Sequence, residues 1–406
     1  MNRPNLLFLT PTLPHTTGTG SAIRAGVTVE ALARHFNVHV LHAELWGWHR
    51  ASFHTDFVRR RAASYVYYTP EAGEIPMPSI MAAHFEGIRF QAVHAFRLIM
   101  ARAAVAVMRQ QQQPPPLAVI DLDDDEFHRS ERFRALRVEA GEDARARIEQ
   151  KELPQLRMME RVLVPRFQAI CYAAAEDCER ARERKLGPKL VHLPNAVFPP
   201  EAPFMDSKDR PPTLLFVGTL DYLPNEDGVQ YFCKQILPLI QQRLLHPVRV
   251  RLVGANPREV VRNLSQQAGV EVLANVPELA PYYAEADAVI VPLRAGSGTR
   301  IKILEAFSFR KPVISTTSGA EGLPVTHGKQ LLLADEAPVF AAHCVSLLEG
   351  AALRASLAES AWQWLLAEHS IDRVDQVIRS LYEPVLNGSS TGAALAGAEL
   401  TRDTGV

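Results

Sequence analysis

The sequence predicts an α/β fold of two doubly wound parallel sheets in series, one in each half of the chain. Three observations predict it. Short β-branched apolar runs alternate with longer stretches of helical period along most of the 406 residues, the pattern of parallel strands covered by helices. The alternation stops at the Pro-rich polar stretch Pro199–Pro212 and then restarts, as at an interdomain linker. The length also exceeds what one core ordinarily serves.

In the first half, strands are expected near Leu6–Thr10, Val38–Leu41, Ala92–His94, Ala118–Asp121, Ala169–Tyr172 and Leu190–Leu193, with helical stretches such as Ala22–Arg34 and Ile80–Arg109. The tract Gln110–Gln113 followed by Pro114–Pro116 reads as a surface connector, because proline stops the helix. In the second half, strands are expected at Leu214–Val217, Val248–Val253, Glu271–Leu273, Ala288–Val291, Val313–Ser315 and Gln330–Leu333. Helices are expected near Val229–Arg243, Pro257–Gln267, Leu279–Glu285, Ile301–Phe309 and Ala337–Glu349. These readings divide the chain into a first domain over 1–205, a second over 206–360 and C-terminal helices over 361–386 that return to the first domain. The tail 387–406 has little to bury and is expected to be disordered. Two such sheets in series leave a cleft between them at the carboxyl ends of their strands.

The composition is that of a soluble globular protein, 47% apolar and 22% charged. A net charge of -1 gives no reason to expect nucleic acid. The four cysteines, Cys171, Cys178, Cys233 and Cys344, lack metal-ligand spacing and read as reduced thiols. Leu6–Leu9 is too short for a signal sequence, and Arg102 interrupts the apolar run Leu98–Met108. A cytoplasmic location is expected, with peripheral contact at the inner membrane face left open.

The stretch from Val291 to Ala306 carries the most chemistry. A strand ends near Leu293, a Gly/Ser/Thr loop follows, and a helix is expected to begin at Thr299 or Arg300. Glycines admit a ligand close to the backbone, and free amides at a helix start suit a diphosphate. Arg300 and Lys302 add positive charge, and the Glu305 carboxylate suits a ribose diol. A tight turn with solvated cations is the bland alternative.

This run resembles the donor-binding motif of family 4 glycosyltransferases, the retaining group with the GT-B fold of two Rossmann-like domains. In that motif two glutamates flank seven residues, and Glu305-Ala306 resembles the second glutamate and its Ala. The first falls at Ser297, which the resemblance places near the donor sugar, while Gly298, Thr299 and Arg300 correspond to the loop around the distal phosphate. Phe216-Val-Gly-Thr219 followed by Asn225 resembles the opening strand and loop of the second domain, so Gly218, Thr219 and Asn225 join the expected donor set. The family's Arg and Lys in that loop are absent over Leu220–Asp227, leaving their work to Arg300 and Lys302. Val276–Tyr283 looks like the stretch that meets the base, and Lys311-Pro-Val313 and Gly319-Ala-Glu-Gly322 resemble the next strand and turn.

His15–Arg24 resembles the family's N-terminal glycine loop, with Gly20, Ser21 and Arg24 facing the diphosphate. The acidic cluster Ile120–Glu126 admits three readings: oxygen ligands to a metal, a cap on the next helix, or acceptor contact. By resemblance Asp123 stands where the family often has a catalytic His, and Asp124 matches the Asp beside it. His94 is a cleft residue by resemblance or a satisfied structural histidine. Glu160 resembles a recurrent glutamate or is an exposed helix residue. Nine arginines and one lysine face seven acids from Arg129 to Arg166, a solvated helical face or a docking surface for an anionic or lipid-linked acceptor.

The implied activity is transfer of a glycosyl unit from a nucleotide diphospho-sugar, UDP- or GDP-linked, to an acceptor hydroxyl, with no cofactor or metal. Arg300, Lys302, His94 and Asp123 are the expected catalytic set. A sugar-nucleotide epimerase or a non-catalytic sugar-nucleotide-binding protein are the alternatives, the latter prompted by Ser297 and Asp123.

Overall fold

The structure, a computed structural model, describes residues 3–44, 55–69, 75–110, 115–187, 189–200, 210–296 and 298–388. Among them two parallel sheets form. The first contains β1 (Asn5–Thr10), β2 (Asn37–Ala43), β3 (Ser64–Tyr68), β4 (Ala92–Phe96), β5 (Leu117–Asp123), β6 (Ala169–Tyr172) and β7 (Leu190–His192), in the order β3-β2-β1-β4-β5-β6-β7. The second contains β8 (Thr213–Val217), β9 (Arg249–Gly254), β10 (Val270–Ala274), β11 (Ala288–Val291), β12 (Val313–Ser315) and β13 (Leu332–Leu333), in the order β10-β9-β8-β11-β12-β13. In each sheet the order reverses direction beside the first strand. That switch point opens a crevice at the carboxyl ends of the strands.

The central strands are buried on both faces, and Leu6, Leu7, Phe8 and Leu9 of β1 are wholly inaccessible. Such continuous apolar runs need helices on both sides. The Gly20–Ala33 helix, capped by Thr19, supplies one cover. Another is the Ile371–Leu386 helix, which packs back on the Gly20–Ala33 helix through His35–Asp375 (2.8 Å) and Arg34–Asp372 (2.8 Å).

Three sequence expectations need correction. β3 was missed because it is a half-exposed edge strand of alternating tyrosines rather than an apolar run. The stretch Ile80–Arg109 is not one helical segment: β4 divides it, and helices occupy Met77–His84 and Ala101–Gln110. The short Ala92–Phe96 run is fully buried, so its strand character overrides the helical period around it. The third correction concerns the donor loop, where the helix begins at Ile301, one residue beyond Arg300. Of the connector 110–116, residues 111–114 lie outside the described residues, as do 201–209 of the linker and the tail 389–406.

Between β5 and β6 the chain makes two helices, Glu126–Glu139 and Asp143–Leu163, packed on each other. The first caps itself with Asp125, whose carboxylate accepts from the amides of Phe127 and His128. Its far face meets the second domain. Arg132 pairs with Glu321 and donates to Ser318 Oγ at 2.8 Å, Phe133 meets Tyr222 edge to face, and Glu139 accepts from Arg294 at 2.6 Å.

Candidate functional site

The two sheets bring two helix N-termini together. A Cβ placed on Gly20, the first residue of the Gly20–Ala33 helix, would lie 3.5 Å from Cδ1 of Ile301, which opens the Ile301–Ser308 helix. The free amides and positive dipole ends of both helices therefore face one region, a setting for an anion. Ser21 follows Gly20 in the same first turn.

The loop before Ile301 reaches across the cleft. Gly298 has φ +68°, and a Cβ there would meet Cβ of Asp124 at 2.8 Å. Only glycine avoids both the left-handed strain and the contact. The Thr299 hydroxyl donates to the carbonyl of Ala173 (3.1 Å), fixing the loop to the end of β6. Ser297 lies outside the described residues.

Lys302 is held over the loop after β8. Its ammonium donates to Oδ1 of Asn225 at 2.6 Å and stands 4.2 Å from the centre of the Phe216 ring. The Asn225 amide in turn donates to the carbonyl of Thr219 at 2.7 Å. Gly218 lies directly beneath: a Cβ there would come within 2.9 Å of the Lys302 nitrogen. Burial and the neighbouring Arg300 charge lower the Lys302 ammonium to about 7, against the pull of Glu305. Burial raises the Glu305 carboxyl to about 7, against the pull of Lys302. Gly218, Thr219, Asn225, Lys302 and Glu305 are thus one interlocked group, as their sequence pattern predicts.

Arg300 is placed differently from a free cation. Its guanidinium folds under Gly296, where a Cβ would come within 2.4 Å of it, and it donates to the Ser318 carbonyl at 3.2 Å. Burial lowers its pKa, with Tyr222 and Glu321 opposing. It braces the loop from below and faces Glu321 at 3.9 Å.

The first-domain candidates separate into two groups. Arg24 does not reach the cleft. Only 2% exposed, it binds both carboxylate oxygens of Asp121, the Leu193 carbonyl and Asn195 Oδ1. A buried guanidinium requires such partners, so it ties β5 to the end of β7. His94 is fully buried: Nδ1 stands 2.8 Å from the Tyr382 hydroxyl, and Nε2 is 3.9 Å from Asp121. It sits under the returning C-terminal helix, as a structural histidine would.

Asp123 and Asp124 end β5 at the cleft, and arginines surround them. Arg97 donates to Asp123 at 3.1 Å and to Asp124 at 2.8 Å, and Arg129 also holds Asp124 at 2.8 Å. Both Arg97 (φ +71°) and Asp123 (φ +67°) take left-handed backbone, a strain that surrounding bonds must sustain. Of the readings offered for the cluster, capping falls to Asp125, and ion pairing accounts for Asp123 and Asp124. Burial raises the Asp123 carboxyl despite Arg24 and Arg97. Glu160 is half-buried and receives Arg184 at 3.3 Å.

Sequence reasoning missed Arg132, Ser318 and Tyr283. Arg132, Glu176, Ser318, Glu321, Gly322 and Val325 line a cleft of about 370 Å³ between the domains. Glu321 stands inside a recognised turn, but only the fold shows Arg132 opposite it. Tyr283 is wholly buried, stacked on Phe309 at 4.3 Å, with a hydroxyl that has no hydrogen-bond partner among the described residues. Burial and the nearby Glu305 carboxylate push its phenol well above the usual range.

Residues 211–350 match the family described as Glycosyl transferases group 1. An uncharacterized 44.6 kDa protein in the cps region of Klebsiella pneumoniae is 24% identical over 220 residues, 51% of this chain and 54% of that protein. The chain thus spans about half the length of the curated relative it matches. Sucrose-phosphate synthase from Thermosynechococcus elongatus superposes with a TM-score of 0.68 at 15% identity, covering 95% of this chain and 100% of that one. HepE of Anabaena, solved in complex with UDP and glucose, gives 0.63 at 15% identity over 93% and 99% of the two chains. A glycosyltransferase from Rickettsia africae gives 0.66 at 12% identity over 96% and 100%. The chain has the two-domain GT-B fold, and its residues 211–350 are a domain of the glycosyl transferases group 1 family.

Proposed function

We propose that this protein is a glycosyltransferase that moves a glycosyl unit from a nucleotide diphospho-sugar to an acceptor hydroxyl. The observation that carries the reading is the convergence of two helix N-termini, at Gly20 and Ile301, on the region of Lys302 and the Gly298 loop. Fixed amides and a buried cation aimed at a departing diphosphate stabilise charge that grows as the glycosidic bond breaks. Lys302 supplies the charge, Asn225 holds it in place, and Glu305 takes the ribose hydroxyls. Arg300 keeps the loop in shape from beneath. Asp123 and Asp124, at the end of β5, border the acceptor side.

The finer reading is retention of configuration without a metal. UDP is the first nucleotide to try, since the HepE structure holds it. A thermal-shift panel of UDP-, GDP-, dTDP- and ADP-sugars selects the donor. Incubation of that donor with candidate saccharide and lipid-linked acceptors then gives a product whose anomeric configuration is read by NMR. The expected result is a retained linkage at a rate that EDTA leaves unchanged. Conversion of donor without acceptor speaks for an epimerase, and binding without turnover for a non-catalytic role.

A further inference from the structure

We propose that the outward face of the Asp143–Leu163 helix is a docking surface for an anionic lipid bilayer. This helix lies on the outside of the β5–β6 crossover. Its partner helix, Glu126–Glu139, stands between it and the cleft and carries the contacts to the second domain. Leu156, Met159 and Leu163 turn inward to the first-domain core.

The opposite face has another chemistry. Ile148 is 59% exposed, Met158 63% and Val162 48%. Arg147, Lys151 and Arg161 are exposed on the same side and make no ion pair among the described residues. Spacings of three and four residues put these six side chains on one stripe. Single exposed apolar residues are ordinary. Three on one helix, interleaved with three cations, form the pattern of a helix lying at a lipid headgroup boundary. The helix has 21 residues, roughly 30 Å at 1.5 Å per residue, enough to lie along such a surface. No helix among the described residues is long and apolar enough to cross a membrane.

Charge selects the occupant. A second copy docked face to face would set these cations against their own kind, which costs free energy. Anionic headgroups complement them while the apolar side chains enter the acyl boundary. Docked in this way, the Arg132–Glu321 side of the cleft is one helix away from the bilayer, within reach of a lipid-linked acceptor. That consequence rests on the transfer reading, whereas the docking itself does not.

The test is flotation of the full chain with vesicles of phosphatidylcholine alone or mixed with phosphatidylglycerol, at low and high salt. The parent is expected to float only with the mixed vesicles, and less at high salt. Arg147→Gln/Lys151→Gln/Arg161→Gln should lower partitioning about a hundredfold. Met158→Ser/Val162→Ser should lose the binding that survives high salt. Both variants should keep the parent's melting temperature and nucleotide affinity, which separates failure of docking from failure of the donor site. No flotation of the parent, equal flotation of the triple variant, or a change of oligomeric state by light scattering in that variant would overturn the proposal.

Discussion

The Lys302 ammonium donates a 2.6 Å hydrogen bond to Asn225 Oδ1, joining the start of the Ile301–Ser308 helix to the loop after β8. Asn225 is 5% exposed and donates to the Thr219 carbonyl as well. Asn225→Ala removes the acceptor of a buried cation and frees the loop. Nucleoside diphosphate affinity, measured by calorimetry, should fall roughly tenfold. Asn225→Asp should keep Lys302 charged to higher pH, because a carboxylate then faces the ammonium.

The Lys302–Glu305 pair predicts the pH dependence of binding. In the free protein Lys302 loses its proton as pH rises through about 7, and Glu305 gains one as pH falls through about 7. Diphosphate favours charged Lys302 and ribose favours charged Glu305. Nucleotide affinity should therefore decline on both sides of neutrality. Lys302→Arg keeps its charge and should abolish the alkaline decline. Glu305→Gln should abolish the acid decline, and a variant that keeps the parent's profile refutes the assignment of that limb.

Gly298→Ala forces a side chain into left-handed backbone, at about 1–2 kcal/mol, and against Asp124 Cβ at 2.8 Å. The loop must move away from the first domain. Donor affinity should fall more than stability does. Titration and thermal melting of the variant check this.

Arg24→Ala should act on stability. Both Arg24 and Asp121 are buried, at 2% and 0% exposure, so removing the cation strands a carboxylate at a cost of about 3–5 kcal/mol. Burial alone would raise Asp121, but Arg24 and His94 hold it at about 2. Its depressed folded pKa contributes stability above the ordinary Asp range, and that stability is lost as pH falls through about 2. Chemical denaturation of the parent and variant between neutral and strongly acid pH measures both effects. The acid-dependent loss of stability should be smaller in the variant.

The sheets were readable in the sequence because buried parallel strands leave continuous apolar runs, as Leu6–Leu9 and Ala288–Val291 do. The β3 edge, half-exposed, leaves no such run. The second-domain site was readable as well, since Gly218, Asn225, Gly298, Lys302 and Glu305 lie in two short segments whose local geometry fixes them. Arg24 and His94 were harder. Each is near the cleft in sequence pattern, but its partners, Asp121, Asn195 and Tyr382, come from distant parts of the chain. The Arg132–Glu321 pair is 189 positions apart and belongs to the closed arrangement of two domains, which no local pattern encodes.

The most direct measurement is calorimetric titration of the nucleoside diphosphate selected by the donor panel into the parent and into Lys302→Ala. The account predicts binding to the parent and an affinity at least about tenfold weaker in the variant, with the melting temperature of the empty protein no lower, since a buried, partly deprotonated lysine contributes little to stability. Equal affinity in the two proteins would contradict it.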